Sequence, residues 1–222
     1  MASTRTSTEQ GVPTRERVIE ATITLLRRSG YEGAGINRIL ADSGAPKGSL
    51  YHFFPDGKRQ IAREALELYA ERVVALADAA LARGRTPGDK VRRLLAVPAR
   101  RLEAARYAES CAAGAISLDL EPGLETVRHA VVGFFDAMVA VCERHLAFDD
   151  PKRLRSFAGL LLTVIEGAYV RGRAERSSAA FREAADWLAD LADREAAGSK
   201  PAPAISAGRP ARGRSARTRG PS

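Results

Sequence analysis

This sequence has few cysteines and no long apolar run. Its 222 residues include two cysteines, Cys111 and Cys142, which are too few and too far apart to form a disulfide framework. No signal peptide opens the chain, and no apolar run approaches the roughly 20 residues that a helix needs to cross a bilayer. We therefore expect a cytoplasmic protein that makes no contact with a membrane.

Motifs that carry catalysis or bind cofactors are also missing. The sequence has no P-loop, no G-x-S-x-G elbow, no H-E-x-x-H helix and no C-x-x-C pair. Cys142 and His145 share a helical face, but His129 points well away from both at about 100° per residue, which leaves no third metal ligand. We predict no catalytic residue, no cofactor and no metal. An enzyme of unrecognised chemistry remains the alternative from another class.

Strand patterns are absent as well. No stretch combines β-branched runs with strict alternation for more than a few residues, and the Ala, Leu, Arg and Glu content favours helix. Apolar residues recur instead at the three-and-four spacing of amphipathic helices. The sequence predicts an all-α fold with about nine helices, at 13–30, 35–43, 46–54, 58–83, 89–106, 112–120, 122–146, 151–175 and 178–196.

The second and third predicted helices are joined by only three residues, 43–45. A tight, glycine-containing turn between two short helices is typical of a helix-turn-helix. Lys47 and Ser49 lie in the first turn of the third helix, where free backbone N–H groups and the positive helix end favour a phosphate. Gly48 removes a side chain there, so a nucleic-acid backbone can approach closely.

The third helix is predicted to have an inner and an outer face. Leu50 and Phe54 are four residues apart and should face the core, which leaves Tyr51 and His52 outside with a hydroxyl and a ring N–H. A structural turn between core helices, with its cations simply solvated, is the competing interpretation. The candidate DNA contacts are the outer residues of this helix and two flanking cations: Arg38, Lys47, Gly48, Ser49, Tyr51, His52 and Lys58.

This segment resembles the DNA-binding domain of TetR-family regulators, whose recognition helix commonly reads G-x-x-K-G-x-L-Y-x-x-F before a lysine that opens the fourth helix. The resemblance implies that the third helix lies in the major groove of double-stranded DNA, in contact through Lys47, Ser49, Tyr51, His52 and Lys58. The sequence of 45–58 is similar to the LmrA-like branch, whose members are antibiotic- or flavonoid-responsive repressors beside efflux genes. The matching residues are Gly44, Lys47, Gly48, Leu50, Tyr51, Phe54 and Lys58.

Three positions depart from the family's pattern. Ala34 and Gly35 stand where members often have Thr or Ser, so a side-chain cap and a phosphate contact from the second helix are not carried over. Phe53 stands where many members have His, which puts a polar contact from that position in doubt.

Both ends of the chain differ in composition from its middle. The segment 198–222 holds six cations and no acidic residue, within a formal net charge of +8. These cations either add nonspecific DNA affinity through counterion release or only solubilise the chain. We predict a disordered arm at 1–12, a DNA-binding domain at 13–58, a linking helix with a ligand-binding and dimerisation domain at 59–197, and a disordered basic tail at 198–222.

Aromatic and methionine side chains recur at helical spacing in two of the later helices. Such stripes are usually plain core, but the family resemblance implies a pocket for a small apolar or aromatic effector between these helices. The candidate ligand-binding residues are Cys111, Phe134, Phe135, Met138, Phe157 and Tyr169.

The last two helices carry more apolar residues than the core of one subunit needs. By the resemblance they form the four-helix interface of a homodimer, whose two helix-turn-helix units match half-sites of a palindromic operator about one helical turn, or a multiple, apart. The prediction is a repressor that a small molecule releases from DNA, controlling efflux or detoxification genes. Two alternatives stay open: a nonspecific nucleoid-binding protein, which the basic tail fits, and a thiol switch at Cys111 or Cys142.

Overall fold

The computed structural model describes residues 13–198, so the predicted arm and nearly all of the predicted tail lie outside the described residues. Every regular element in this range is an α-helix, and the predicted all-α fold is confirmed. The helices are α1 (Thr14–Gly33), α2 (Ile36–Ser43), α3 (Lys47–Phe53), α4 (Lys58–Ala82), α5 (Pro87–Ala104), α6 (Ala112–Ser117), α7 (Glu125–His145), α8 (Pro151–Glu175) and α9 (Ala179–Ala196).

Local sequence signals set the starts of two of the longer helices. α5 begins at Pro87, two residues earlier than predicted, because the Thr86 side chain accepts a hydrogen bond of 3.1 Å from the Asp89 N–H. Asp150 caps α8 in the same way, through an N–H···O bond of 2.8 Å. In both helices a proline follows the cap, where its missing N–H and fixed φ suit the first helical position.

α1 continues beyond its predicted end at Gly30. Ser29 and Gly30 leave helical geometry, Gly30 with a φ of +66°, and the helix then resumes as far as Gly33. A Cβ at Gly30 would collide with the carboxylate of Asp119, which accepts a 3.1 Å hydrogen bond from the Glu32 N–H. Glycine is required at this kink both for its conformation and for the close approach of Asp119.

One continuous buried core joins the short helices to the long ones. α1, α2 and α3 enclose Val18, Ile39, Leu50 and Phe54, all fully buried. α4 packs against α1, α5 and α7, while α5 packs along α9 and α8 contacts α5, α7 and α9. α4 therefore connects the end that carries α3 to the larger helical group. Within residues 13–198 no helix is both long and apolar enough to cross a membrane.

Candidate DNA interface and ligand cavity

α3 separates a buried side from an exposed side within seven residues. Leu50 and the following cap residue Phe54 are fully buried, whereas 47% of the Tyr51 surface is exposed. The spacing prediction for this helix is therefore confirmed. We call its outer side the recognition patch, which comprises the exposed Lys47, Gly48, Tyr51 and His52 and the half-buried Ser49.

The turn before α3 depends on one glycine. Gly44 has a φ of +63°, and its N–H donates a 3.0 Å hydrogen bond to the Leu40 carbonyl at the end of α2. Ala45 is buried, and its N–H donates to the Ser43 hydroxyl at 3.3 Å. Neither α2 nor α3 has a side-chain cap at its start, which leaves first-turn N–H groups free for water or a phosphate.

The two flanking cations are both engaged with other residues of the chain. The Lys58 ammonium lies 4.1 Å from the centre of the Tyr31 ring and 3.6 Å from a carboxylate oxygen of Glu32. Arg38 donates a 3.1 Å hydrogen bond to the Gly33 carbonyl. The structure thus gathers five of the seven predicted DNA contacts in one patch. Lys58 would have to leave its cation–π and ionic contacts to reach a phosphate.

A cavity of about 40 Å³ lies among α4, α5, α7 and α8 and the start of α6. Phe135 and Phe157 were predicted to line it and do not. Phe135 is turned by about 100° around α7 from its neighbour, and Phe157 lies three turns before Tyr169 on α8, against Phe148 at 5.2 Å between ring centres. The predicted residues that do line the cavity are Cys111, Phe134, Met138 and Tyr169.

Three polar residues of the cavity wall were missed by the sequence analysis. Tyr69 comes from α4, which was interpreted only as a linking helix, and Arg101 comes from α5. Glu166 comes from α8 and follows an apolar run that starts at Phe157. A single acidic residue at the end of such an apolar run was the signal that could have found it.

Three polar side chains of the cavity wall interact with one another. Tyr69 and Glu166 both lie close enough to Cys111 to influence the pKa of its thiol, and the thiol in turn influences theirs. Burial raises the pKa of the Cys111 thiol well above its ordinary range and that of Cys142 to about 12. Because the thiolate is the reactive form, both cysteines are poorly suited to a thiol switch. Among residues 13–198 no cluster of three or more His, Cys, Asp or Glu could hold a metal ion.

Two family models match the sequence. One, described as bacterial regulatory proteins of the tetR family, matches residues 18–65, and the other, described as the C-terminal domain of LmrA/YxaF-like transcriptional regulators, matches residues 87–187. The chain belongs to the TetR family. The second match confirms the LmrA-like branch that the sequence of 45–58 predicted. Both models describe transcriptional regulators. The alternative interpretation of this chain as an enzyme is therefore wrong.

Individual TetR-family relatives resemble this chain in part or in fold. The HTH-type transcriptional regulator LmrA of Bacillus subtilis strain 168 is 48% identical over 59 residues, which are 27% of this chain and 31% of LmrA, so the chain spans about a third of that relative. The regulatory protein TetR from Rhodobacter sphaeroides has a TM-score of 0.72 at 20% identity, covering 80% of this chain and 97% of that one. CifR, a TetR-family regulator solved with a 26-base-pair operator DNA, has a TM-score of 0.66 at 19% identity, covering 87% and 98%.

Arg27 of α1 connects the TetR-family helix-turn-helix to the wall of the cavity. Its guanidinium is paired with Glu109 and donates a 3.2 Å hydrogen bond to the Ser110 carbonyl, both in the loop between α5 and α6. It also lies 6.0 Å from the centre of the Tyr69 ring. Its Nη2 atom is buried without a hydrogen-bond partner. A residue of the DNA-binding end is thus in contact with a residue that lines the cavity.

Proposed function

We propose that this chain is a repressor that binds a palindromic operator as a homodimer and leaves it when a small apolar or aromatic molecule binds. By its branch, it controls efflux or detoxification genes. The observation that supports the proposal best is the division of α3, where Leu50 and Phe54 fix the helix in the core while the recognition patch stays exposed.

The recognition patch has the chemistry for both kinds of DNA contact. Lys47 and the uncapped N–H groups of the first turn suit phosphates, which position a protein on the duplex without reading sequence. Tyr51 and His52 offer donors on the same exposed side, where a helix in the major groove meets base edges. Gly48 adds no side chain to the patch, and the space where its Cβ would be is open, with no atom within 4 Å.

The test is selection of bound sequences from random DNA by the purified protein, alongside the double variant Lys47→Ala, Tyr51→Ala. We expect a palindromic consensus for the natural sequence. Each lost base contact costs about 1–3 kcal/mol and a lost phosphate contact lowers the salt slope by about one, so operator affinity should fall at least tenfold in the double variant.

The control for that experiment is Lys152→Ala, which removes an exposed lysine from the start of α8. It should leave operator affinity unchanged. Enrichment of no sequence, or a double variant that binds like the control, would contradict the proposal and favour nonspecific binding through the basic tail.

An exposed apolar stripe supports the proposed homodimer. On α8, Val170 is 68% exposed and Leu160 is 43% exposed, and on α9 the Trp187 side chain is 77% exposed. Exposed apolar patches often mark interaction sites. The α8 stripe follows the three-and-four spacing of one helical face and comprises Leu160, Thr163, Gly167, Val170 and Ala174.

α4 offers the physical route from effector to DNA. It begins at Lys58, beside α3, and contributes Tyr69, Val73 and Ala77 to the cavity. The cavity of about 40 Å³ is far smaller than the roughly 300–1,000 Å³ of typical ligand sites, so an effector must move the surrounding helices apart. A ligand that needs this expansion binds one arrangement of α4 better than another. Effector and operator then weaken each other's binding by the same factor.

A further inference from the structure

Glu166 is a carboxylate in an unusual place. It lies on α8, lines the cavity and also lines the open groove on the outer side of α8 and α6. Its side chain occupies the space that a side chain at position 114 would need, because a Cβ on Gly114 would collide with the carboxylate. Glu166 therefore forms part of the wall between the cavity and the groove.

No cation neutralises this carboxylate within residues 13–198. None of the ion pairs in that range includes Glu166, although Arg101 lines the same cavity. The Cys111 thiol, a weak donor, is the neighbouring side chain that favours its charged form. Desolvation accordingly raises the pKa of the Glu166 carboxyl above its ordinary value. A half-buried carboxylate without a cationic partner is costly for folding, so a cation bound next to it would be stabilised.

The rest of the cavity suits the apolar part of a cationic molecule. Tyr69, Phe134 and Tyr169 line it, and the Tyr69 and Phe134 ring centres lie 5.9 Å apart. Aromatic faces attract a positive charge, most strongly where water is excluded. Most of the remaining wall is aliphatic, from residues such as Leu94 and Ile165, and Arg101 adds one cation to it.

We propose that the effector is a hydrophobic amine, whose protonated nitrogen pairs with Glu166 while its apolar part lies among Tyr69, Phe134 and Tyr169. This inference rests on the proposed ligand response and names its ligand class. A carboxylate ligand would instead place two negative charges together at Glu166, and a neutral alcohol would leave the charge of Glu166 unpaired.

Three probes that share one apolar tail separate these cases: phenylbutylamine, phenylbutanol and phenylbutyrate. Their binding to the purified full chain is measured by isothermal titration calorimetry without DNA. We expect the amine to bind at least tenfold tighter than the alcohol and the carboxylate to bind weakest. In Glu166→Gln, which keeps the shape of the side chain, the amine should lose at least tenfold and bind no tighter than the alcohol.

The matched control is Glu121→Gln, which removes the same charge at an exposed position before α7. It should bind all three probes as the natural sequence does. The proposal is overturned if the alcohol or carboxylate binds as tightly as the amine, if no probe binds, or if Glu166→Gln keeps the preference for the amine. A thermal unfolding curve for each variant confirms that it is folded.

Operator binding distinguishes this proposal from the proposed function. Both variants should bind the selected operator as tightly as the natural sequence when no probe is present. Amine binding that leaves operator affinity unchanged would support the site and contradict the ligand response. Intact operator binding with no preference for the amine would contradict the site alone.

Discussion

The recognition patch and the ligand cavity are built in opposite ways. The patch comes from one short helix, α3, and its residues alternate along the chain with the buried residues that hold it. The cavity takes its wall from several helices, and most of its lining side chains also belong to the core. Function and stability are therefore separable in the patch, residue by residue. In the cavity, a change to the site is also a change to the core.

Phe53 and Phe54 offer the strongest test of whether function and stability are separable around α3. Phe54 is fully buried, with the Arg15 guanidinium 5.4 Å from its ring centre, whereas Phe53 is 38% exposed. Phe54→Ala should lower the free energy of unfolding by about 3–5 kcal/mol, because it leaves a cavity in the core. Phe53→Ala should change it by only about 0.5 kcal/mol. Urea unfolding followed by circular dichroism measures both, and equal losses would contradict the division of α3 into two faces.

Local spacing explains why α3 was predictable from the sequence. The positions of Leu50 and Phe54, four residues apart, decide which side of a helix is buried, and Gly44 decides where the turn falls. The contacts of Lys58 could not be predicted from local spacing. Its partners Tyr31 and Glu32 lie on the extra turn of α1 beyond Gly30, which was not predicted because a glycine with positive φ usually ends a helix.

The cavity was predictable only in part, because its lining depends on how distant helices pack. Phe134 and Met138 share one face of α7 and line the cavity, whereas Phe135 and Phe157, which the same reasoning included, do not line it. Tyr69 was missed because nothing in its own helix shows that it meets the rest of the cavity wall. Periodicity finds the buried face of a helix and leaves open what that face meets.

The α8 stripe and Trp187 of α9 are a third kind of surface, which is apolar like the cavity and exposed like the recognition patch. Trp187 is the single tryptophan of the chain and 77% exposed, so its emission reports on whether this surface is covered. Trp187→Ala should weaken the proposed homodimer by at least about 2 kcal/mol, as truncation of a buried interface aromatic does. It should leave the stability of the monomer nearly unchanged. Sedimentation over a dilution series measures the effect.

The natural sequence supplies an internal check on that prediction. Its tryptophan emission should move to longer wavelength on dilution, as the dimer dissociates and water reaches the ring. Val132→Ala, at a half-exposed position on α7, is the matched control and should dimerise normally. A chain that sediments as a monomer at every concentration would contradict the proposed homodimer.

Removing the charge of Glu166 should have the smallest effect on stability. It tests most directly whether a change to the cavity is also a change to the core. Burial raises the pKa of the Glu166 carboxyl in the folded state, so the folded chain holds this proton more tightly than the unfolded chain. The free energy of unfolding therefore falls as the pH rises from the ordinary glutamate pKa of about 4.3 through the raised folded value.

Glu166→Gln removes that loss: without any amine, the variant should unfold at a higher temperature than the natural sequence at neutral pH. The gain should fade at about pH 3, below the ordinary glutamate pKa, where the carboxyl is protonated in both folded and unfolded chains. Thermal unfolding at both pH values measures the difference, with Glu121→Gln expected to show none. A gain of equal size at both pH values would mean that packing of the amide, and not removal of the charge, stabilises the variant. Glu166 would then be no different from a solvated carboxylate of the surface.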